Sequence, residues 1–192
     1  MTEQNEVLQS YIEVSPAHHE FQERWPVQGL MTVRIGLADE APPAHVASSV
    51  LAIVLDDQRR VLFLWPAQKS GNISHLLVGG RPKPGESAEA TATREVGEET
   101  GWQVETAELI GYRHFHQLEP RKKDSDRPYP DFIQQIDVAK ALRFDKELLI
   151  SSDRIPSEFL DYETAIKATD VKHRPLLHAA GAAARRTWAL GF

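Results

Sequence analysis

The chain has 192 residues, 41% of them hydrophobic and 26% charged, with no cysteine and a formal net charge of −6. That length suits one domain with a substantial core, and the missing cysteine excludes disulfides, thiolate metal sites and cysteine nucleophiles. The negative balance argues against a protein that grips nucleic acid through broad phosphate contacts.

From the N-terminus, the first residues carry acids and no basic stretch followed by an apolar one, and no apolar run approaches bilayer length, so no membrane partner and a cytoplasmic location are expected. Val7, Leu8, Tyr11 and Ile12 recur at helical spacing, and Ser15-Pro16 reads as an N-cap with proline opening a second short helix. Met31, Val33, Ile35 and Leu37 alternate with Thr32, Arg34 and Gly36, the period of a half-buried strand. A connector with Pro42 and Pro43 leads to two apolar runs, 48–55 and 60–65, joined by a polar DDQRR turn as a hairpin. Residues 75–78 read as a short strand entering a loop in which Gly79, Gly80, Pro82, Pro84 and Gly85 forbid helix.

Ser87 is the expected N-cap of the next helix, where Ala88, Ala92, Val96 and Glu99 form one stripe small enough to lie on a sheet, and Gly101 closes it. Strands are expected at 103–116 and 131–139, with a polar loop between them, and a short one at 158–160. Pro175 opens a last helix with an apolar stripe of Leu176, Leu177, Ala180, Ala184 and Trp188. This order predicts an α/β fold with a mixed sheet between helices. Residues 30–192 form the expected domain, and residues 1–29 an N-terminal helical extension that covers an edge strand or builds a homodimer contact.

Chemistry concentrates in residues 80–102. Glu95, Glu98 and Glu99 lie three and four apart, so three carboxylates crowd one side of a helix, each like-charge pair costing roughly 0.2–0.5 kcal/mol in isolation. A hard divalent ion with oxygen ligands, Mg²⁺ or Mn²⁺, would relieve that repulsion; a solvated acidic face is the plainer alternative. Arg94 stands four before Glu98, in reach of an ion pair. With these residues, Gly80, Glu86, Val96, Gly101 and Trp102 complete the nine defined positions of G-x5-E-x7-R-E-U-x-E-E-x-G-U, where U is a bulky apolar residue. The segment resembles a Nudix box. At roughly 6% usage per residue, seven fixed positions match by chance on the order of 10⁻⁸ to 10⁻⁹ at one register. Trp102 in place of an aliphatic residue and Val78 in place of a common proline are mild departures, and neither touches a carboxylate.

The resemblance implies an α/β/α Nudix sandwich and Mg²⁺-dependent (or Mn²⁺-dependent) hydrolysis of a nucleoside diphosphate linked to a moiety X, a small nucleotide substrate attacked by water. By the same resemblance, Glu95, Glu98 and Glu99 with the Gly80 carbonyl would hold the metal, and Glu95, Arg94 and Glu98 form the catalytic set. Arg94 would orient carboxylates and Glu86 brace the loop. The proton of water goes to Glu95 or to an acid beyond the box, for which Glu147, Asp153 and Glu158 are candidates; each also reads as an ordinary surface acid.

Candidate substrate contacts are Arg121, Lys123, Arg127 and Tyr129, in a loop that reads either as a lid or as a solvated loop, and Trp65, which reads either as a base-stacking ring or as a core residue. His114 and His116 share a strand face and read as pocket-lining or as ordinary half-buried histidines. The proline that follows the box in ADP-ribose-cleaving members and the tyrosine of dinucleoside polyphosphate hydrolases have no match here. A non-catalytic Nudix-fold binding or sensor module is the alternative function, disfavoured by the intact acids. Isomerases of the isopentenyl diphosphate type use a cysteine this chain lacks.

Overall fold

The protein is described by a computed structural model covering residues 3–65, 75–121, 123, 127–150 and 155–189. In chain order its elements are α1 (Glu3–Val14), β1 (Ala17–Trp25), β2 (Gly29–Leu37), β3 (Ala47–Leu55), β4 (Arg60–Leu64), β5 (Val78–Gly80) and α2 (Ala88–Thr100). They continue with β6 (Trp102–Gln117), β7 (Asp131–Phe144), β8 (Ser157–Asp161), α3 (Tyr162–Ala168) and α4 (Arg174–Trp188), with 3₁₀ turns at Lys146–Leu148 and Val171–His173. The strands form one sheet in the order β1-β2-β6-β7-β3-β4-β8, with β5 also paired to β3. Only β3 and β7 run parallel among these pairs, so the sheet is mixed as the sequence predicts.

Strand β3 shows how one segment builds two layers. Its side chains alternate across the sheet, and nearly all are buried because both faces are covered. Leu51, Ile53 and Leu55 pack with Leu176, Leu177, Ala180 and Ala184 of α4. Val50, Ala52 and Val54 pack with Ala92 and Val96 of α2. Helix α1 lies on the α2 side, where Leu8 and Tyr11 meet Val46, Tyr112 and Ile133. Each fully buried leucine of α4 contributes roughly 1.5–3 kcal/mol by leaving water. This arrangement is the α/β/α sandwich expected from the box.

Two local expectations are corrected and one element is added. Residues 17–25 form strand β1, not a second short helix, and pair with β2 along their length. Phe21 and Trp25 sit on alternate positions that pack against the sheet core, and that period-two burial outweighs the helix-start signal of Ser15-Pro16. β5 begins at Val78 rather than at residue 75 and keeps Gly79 and Gly80 in the ladder, opposite Leu51 and Val50. A side chain at Gly79 would strike the Val50 carbonyl, so glycine permits this pairing. Helix α3 was not anticipated; Asp161 caps it by accepting a hydrogen bond from the Thr164 amide at 2.9 Å.

Candidate active site

The box starts where β5 ends. Ser87 caps α2 by accepting from the Ala90 amide at 3.1 Å, and Gly101 ends it in the left-handed conformation at φ 78°. Ala92 and Val96 pin the helix to the sheet, which turns Arg94, Glu95, Glu98 and Glu99 toward its half-buried flank. Gly80 lies against Glu95, so that a Cβ there would land on the carboxylate.

Arg94 is the hub. Its Nε donates to Glu86 Oε1 at 2.6 Å and its Nη2 to Glu86 Oε2 at 3.0 Å, a bidentate fork. Its Nη1 donates to Glu95 Oε1 at 2.8 Å and Glu98 Oε2 at 2.9 Å, and Nη2 also reaches the Arg81 carbonyl at 2.9 Å. Glu86 additionally accepts from the Lys83 amide at 2.7 Å and from Thr91 Oγ1 at 3.2 Å. The Arg94 guanidinium, followed by the Lys83 amide, holds the Glu86 carboxyl down to about 2. In return Glu86, then Glu95 and Glu98, push the Arg94 pKa upward against its burial. The loop and the helix are thereby locked together through one guanidinium.

Lys83 Nζ approaches Glu98 Oε1 at 3.3 Å, so Glu98 presents each oxygen to a cation. In this arrangement no three His, Asp or Glu side chains converge as metal ligands among the described residues. The donor set nevertheless suits a hard divalent ion: three carboxylates within about one turn of α2, all oxygen, with the Gly80 backbone laid against Glu95.

The acids proposed beyond the box fall out differently. Glu147 is exposed on the 3₁₀ turn whose Leu148 packs toward Gly97 of α2, and Glu158 is exposed on β8 opposite Phe63. Asp153 lies outside the described residues. Among the described residues, the amides of Ile150 and Ile155 donate to the Glu98 and Glu99 carbonyls at 3.0 and 2.9 Å.

Of the substrate candidates, Arg121 and Lys123 are exposed, and Tyr129 is exposed beside a cavity with His45 and Asp131. Arg127 is engaged within the fold: its Nη1 donates to Ser48 Oγ at 3.0 Å and its guanidinium lies 4.9 Å from the Phe132 ring centre. Trp65 is 43% exposed and packs on Phe63 and His75, a rim position rather than a core one. His114 and His116 converge on one oxygen, Asp131 Oδ1, at 2.8 and 2.9 Å. Arg34 approaches His114 Nδ1 at 3.4 Å, so Nδ1 accepts and Nε2–H is the nitrogen that donates to Asp131. Burial would raise the Asp131 pKa, but the two histidines outweigh it and the net shift is downward.

Sequence reasoning did not single out Arg113, which the fold buries on the α4 side of the sheet. The signal was present: Arg113 alternates with Phe115 and so shares the apolar face of its strand.

The NUDIX domain family model matches residues 45–180. The chain therefore belongs to the Nudix family and is a hydrolase acting on phosphorus anhydrides. Members of the family cleave nucleoside diphosphate derivatives, act on small nucleotides and generally use divalent cations, typically Mg²⁺. The structure is similar to a variant of the Bacillus subtilis pyrophosphohydrolase BsRppH, with a TM-score of 0.52 and 18% identity over 90% of this chain and 99% of that one. It also resembles a NUDIX hydrolase from Nitrosomonas europaea, with a TM-score of 0.47 and 19% identity over 76% of this chain and 97% of that one. A MutT protein from Methanosarcina mazei gives a TM-score of 0.47 and 19% identity over 73% and 94% of the two chains. At 18% identity the likeness to BsRppH is one of fold. No curated protein matches the sequence. No helix among the described residues is long and apolar enough to cross a membrane.

Proposed function

We propose that this chain is a Mg²⁺- or Mn²⁺-dependent pyrophosphohydrolase that cleaves the diphosphate of a nucleoside diphosphate linked to a moiety X. The observation that carries the reading is the Arg94 hub, which fixes Glu86, Glu95 and Glu98 around the end of β5. Glu95, Glu98 and Glu99 would hold the ion together with the Gly80 carbonyl. When bound, it supplies charge neutralisation on the diphosphate oxygens and a more acidic water.

The chain's own part is orientation and proton transfer. Arg94 spends its donors on carboxylates and a carbonyl, so it is a positioning residue in this reading. Water adds to phosphorus, the P–O anhydride bond breaks, and the phosphate on the far side leaves with the bridging oxygen. We assign the proton of that water to Glu95, whose Oε1 is held by Arg94 and whose side chain rests on Gly80. Residues 1–29 belong to the reading as an addition to the Nudix domain: β1 extends the sheet and α1 covers part of its α2 face.

The exposed Trp65, Tyr129, Arg121 and Lys123 are the residues we assign to substrate contact. Arg127 enters this set as a residue held in place beside Tyr129 through Ser48 and Phe132. A panel of dinucleoside polyphosphates, nucleotide sugars and nucleoside triphosphates, incubated with Mg²⁺ and with a chelator, tests the reading. Metal-dependent release of a nucleoside monophosphate or phosphate from at least one member is expected. Binding of panel members with no cleavage would instead assign the chain as a non-catalytic nucleotide-binding module.

A further inference from the structure

A second cavity, of about 430 Å³, opens on the α4 side of the sheet, between β1, β6 and the segment joining α3 to α4. No box residue lines it. Its wall presents Arg113, Lys167, Lys172 and Arg174 against the carboxylates of Glu23 and Asp170. Arg113 has a side chain only 7% exposed, and its nearest carboxylate oxygen, on Glu23, is 3.8 Å from Nη2, beyond hydrogen-bond reach. Its Nε has no hydrogen-bond partner among the described residues. The Phe115 ring, 5.0 Å from the guanidinium carbon, backs it from one side.

Two of the other cations are otherwise engaged. Lys172 Nζ lies 3.7 Å from Asp170 and 4.1 Å from the Phe21 ring centre, and Arg174 Nε donates to the Thr169 carbonyl at 3.1 Å. His173 is 5% exposed, and its Nε2 also lacks a hydrogen-bond partner among the described residues. It immediately precedes α4, a helix of 15 residues whose N-terminus has no side-chain cap. Burial, then Arg113 and Lys172, push the His173 pKa down to about 3, so the ring is neutral near pH 7. Burial also lowers Arg113, to about 10, against the pull of Glu23.

A buried guanidinium without a hydrogen-bonded anion is costly, and its planar fork matches the oxygens of a phosphate or carboxylate. The N-terminus of α4 adds partial positive charge on the same side. We propose that this cavity is an oxyanion-binding site, which takes a phosphate group in the fork of Arg113 beside His173 and the α4 N-terminus. The anion completes the coordination that Glu23 leaves open. The site stands apart from the box acids, so its occupancy does not depend on hydrolysis.

Calorimetric titration of the full chain with inorganic phosphate and, separately, adenosine 5′-monophosphate tests this without added metal, so that a failure here is distinct from a failure of the hydrolysis reading. Saturable binding of at least one probe is expected. Arg113→Gln should weaken it tenfold or more while the melting temperature holds or rises, because the buried charge is gone. Glu23→Gln should tighten it, because the competing carboxylate is removed. Equal affinity for the two probes assigns the site to a free anion, and tighter nucleotide binding assigns it to a nucleotide phosphoryl group. No saturable binding, or affinity unchanged in Arg113→Gln, overturns the proposal. Should Arg113→Gln fail to fold, unchanged or weaker binding in Glu23→Gln overturns it as well.

Discussion

Arg94 and Glu86, eight residues apart, are joined by two hydrogen bonds of 2.6 and 3.0 Å that tie the box loop to the box helix. The pair is a shorter charged contact between loop and helix than Lys83 to Glu98 at 3.3 Å, and it titrates. Glu86 has its carboxyl held down to about 2, from 4.5 for the free group, by Arg94 first and the Lys83 amide second. A carboxyl whose folded pKa is depressed lends stability above its unfolded pKa and loses it as pH falls through the folded value. The melting temperature should therefore drop between about pH 4.5 and pH 2, and the drop should be smaller in Glu86→Gln. Equal slopes in the two proteins would show that the contact contributes nothing.

Gly80 tests the packing of loop against helix. In Gly80→Ala the new Cβ meets the Glu95 carboxylate, a side-chain end that can swing away. The fold should survive, with little change in melting temperature, while kcat falls at least about tenfold if Glu95 is the proposed proton acceptor, because its carboxylate is displaced. An unchanged kcat would remove Glu95 from that role.

Lys83 holds Glu98 Oε1 at 3.3 Å from an exposed position. A divalent ion on Glu98 must share or displace this contact. Lys83→Ala should tighten Mn²⁺ binding a few-fold when followed by paramagnetic relaxation without substrate. Weaker Mn²⁺ binding would mean that Lys83 organises the acids rather than competing for them.

Leu177 has no exposed surface and joins α4 to the sheet. Leu177→Ala should cost about 2–5 kcal/mol in denaturant unfolding, from lost transfer energy and the cavity left behind. A cost below about 1 kcal/mol would mean that the α4 layer collapses around the gap.

Much of this was legible in the sequence where a period or a cap was local. The alternation of residues 31–37 and the stripe Ala88, Ala92, Val96 mark β2 and α2 because each pattern fits within one element. The Arg94–Glu98 ion pair follows from helical spacing alone and is present at 2.9 Å. The shorter Arg94–Glu86 contact depends on the loop folding back over eight residues, which spacing does not reveal. β1 was hidden because Ser15-Pro16 carries a helix-start signal, whereas the strand's stability comes from pairing with β2. Arg113 was passed over for a related reason: its neighbours Glu23 and His173 come from distant parts of the chain, and only the folded sheet brings the three together.

The defining step of the proposed hydrolase is the breaking of a phosphorus anhydride at the carboxylates around the Arg94 hub. Its most direct test is the kcat of Glu95→Gln against the native protein at saturating Mg²⁺, on whichever nucleotide the panel identifies. The charge is removed and the shape kept, so a loss of about 10²- to 10⁴-fold with the melting temperature preserved is expected for a group that takes the proton of the attacking water. A rate within twofold of native would move the chemistry away from the box.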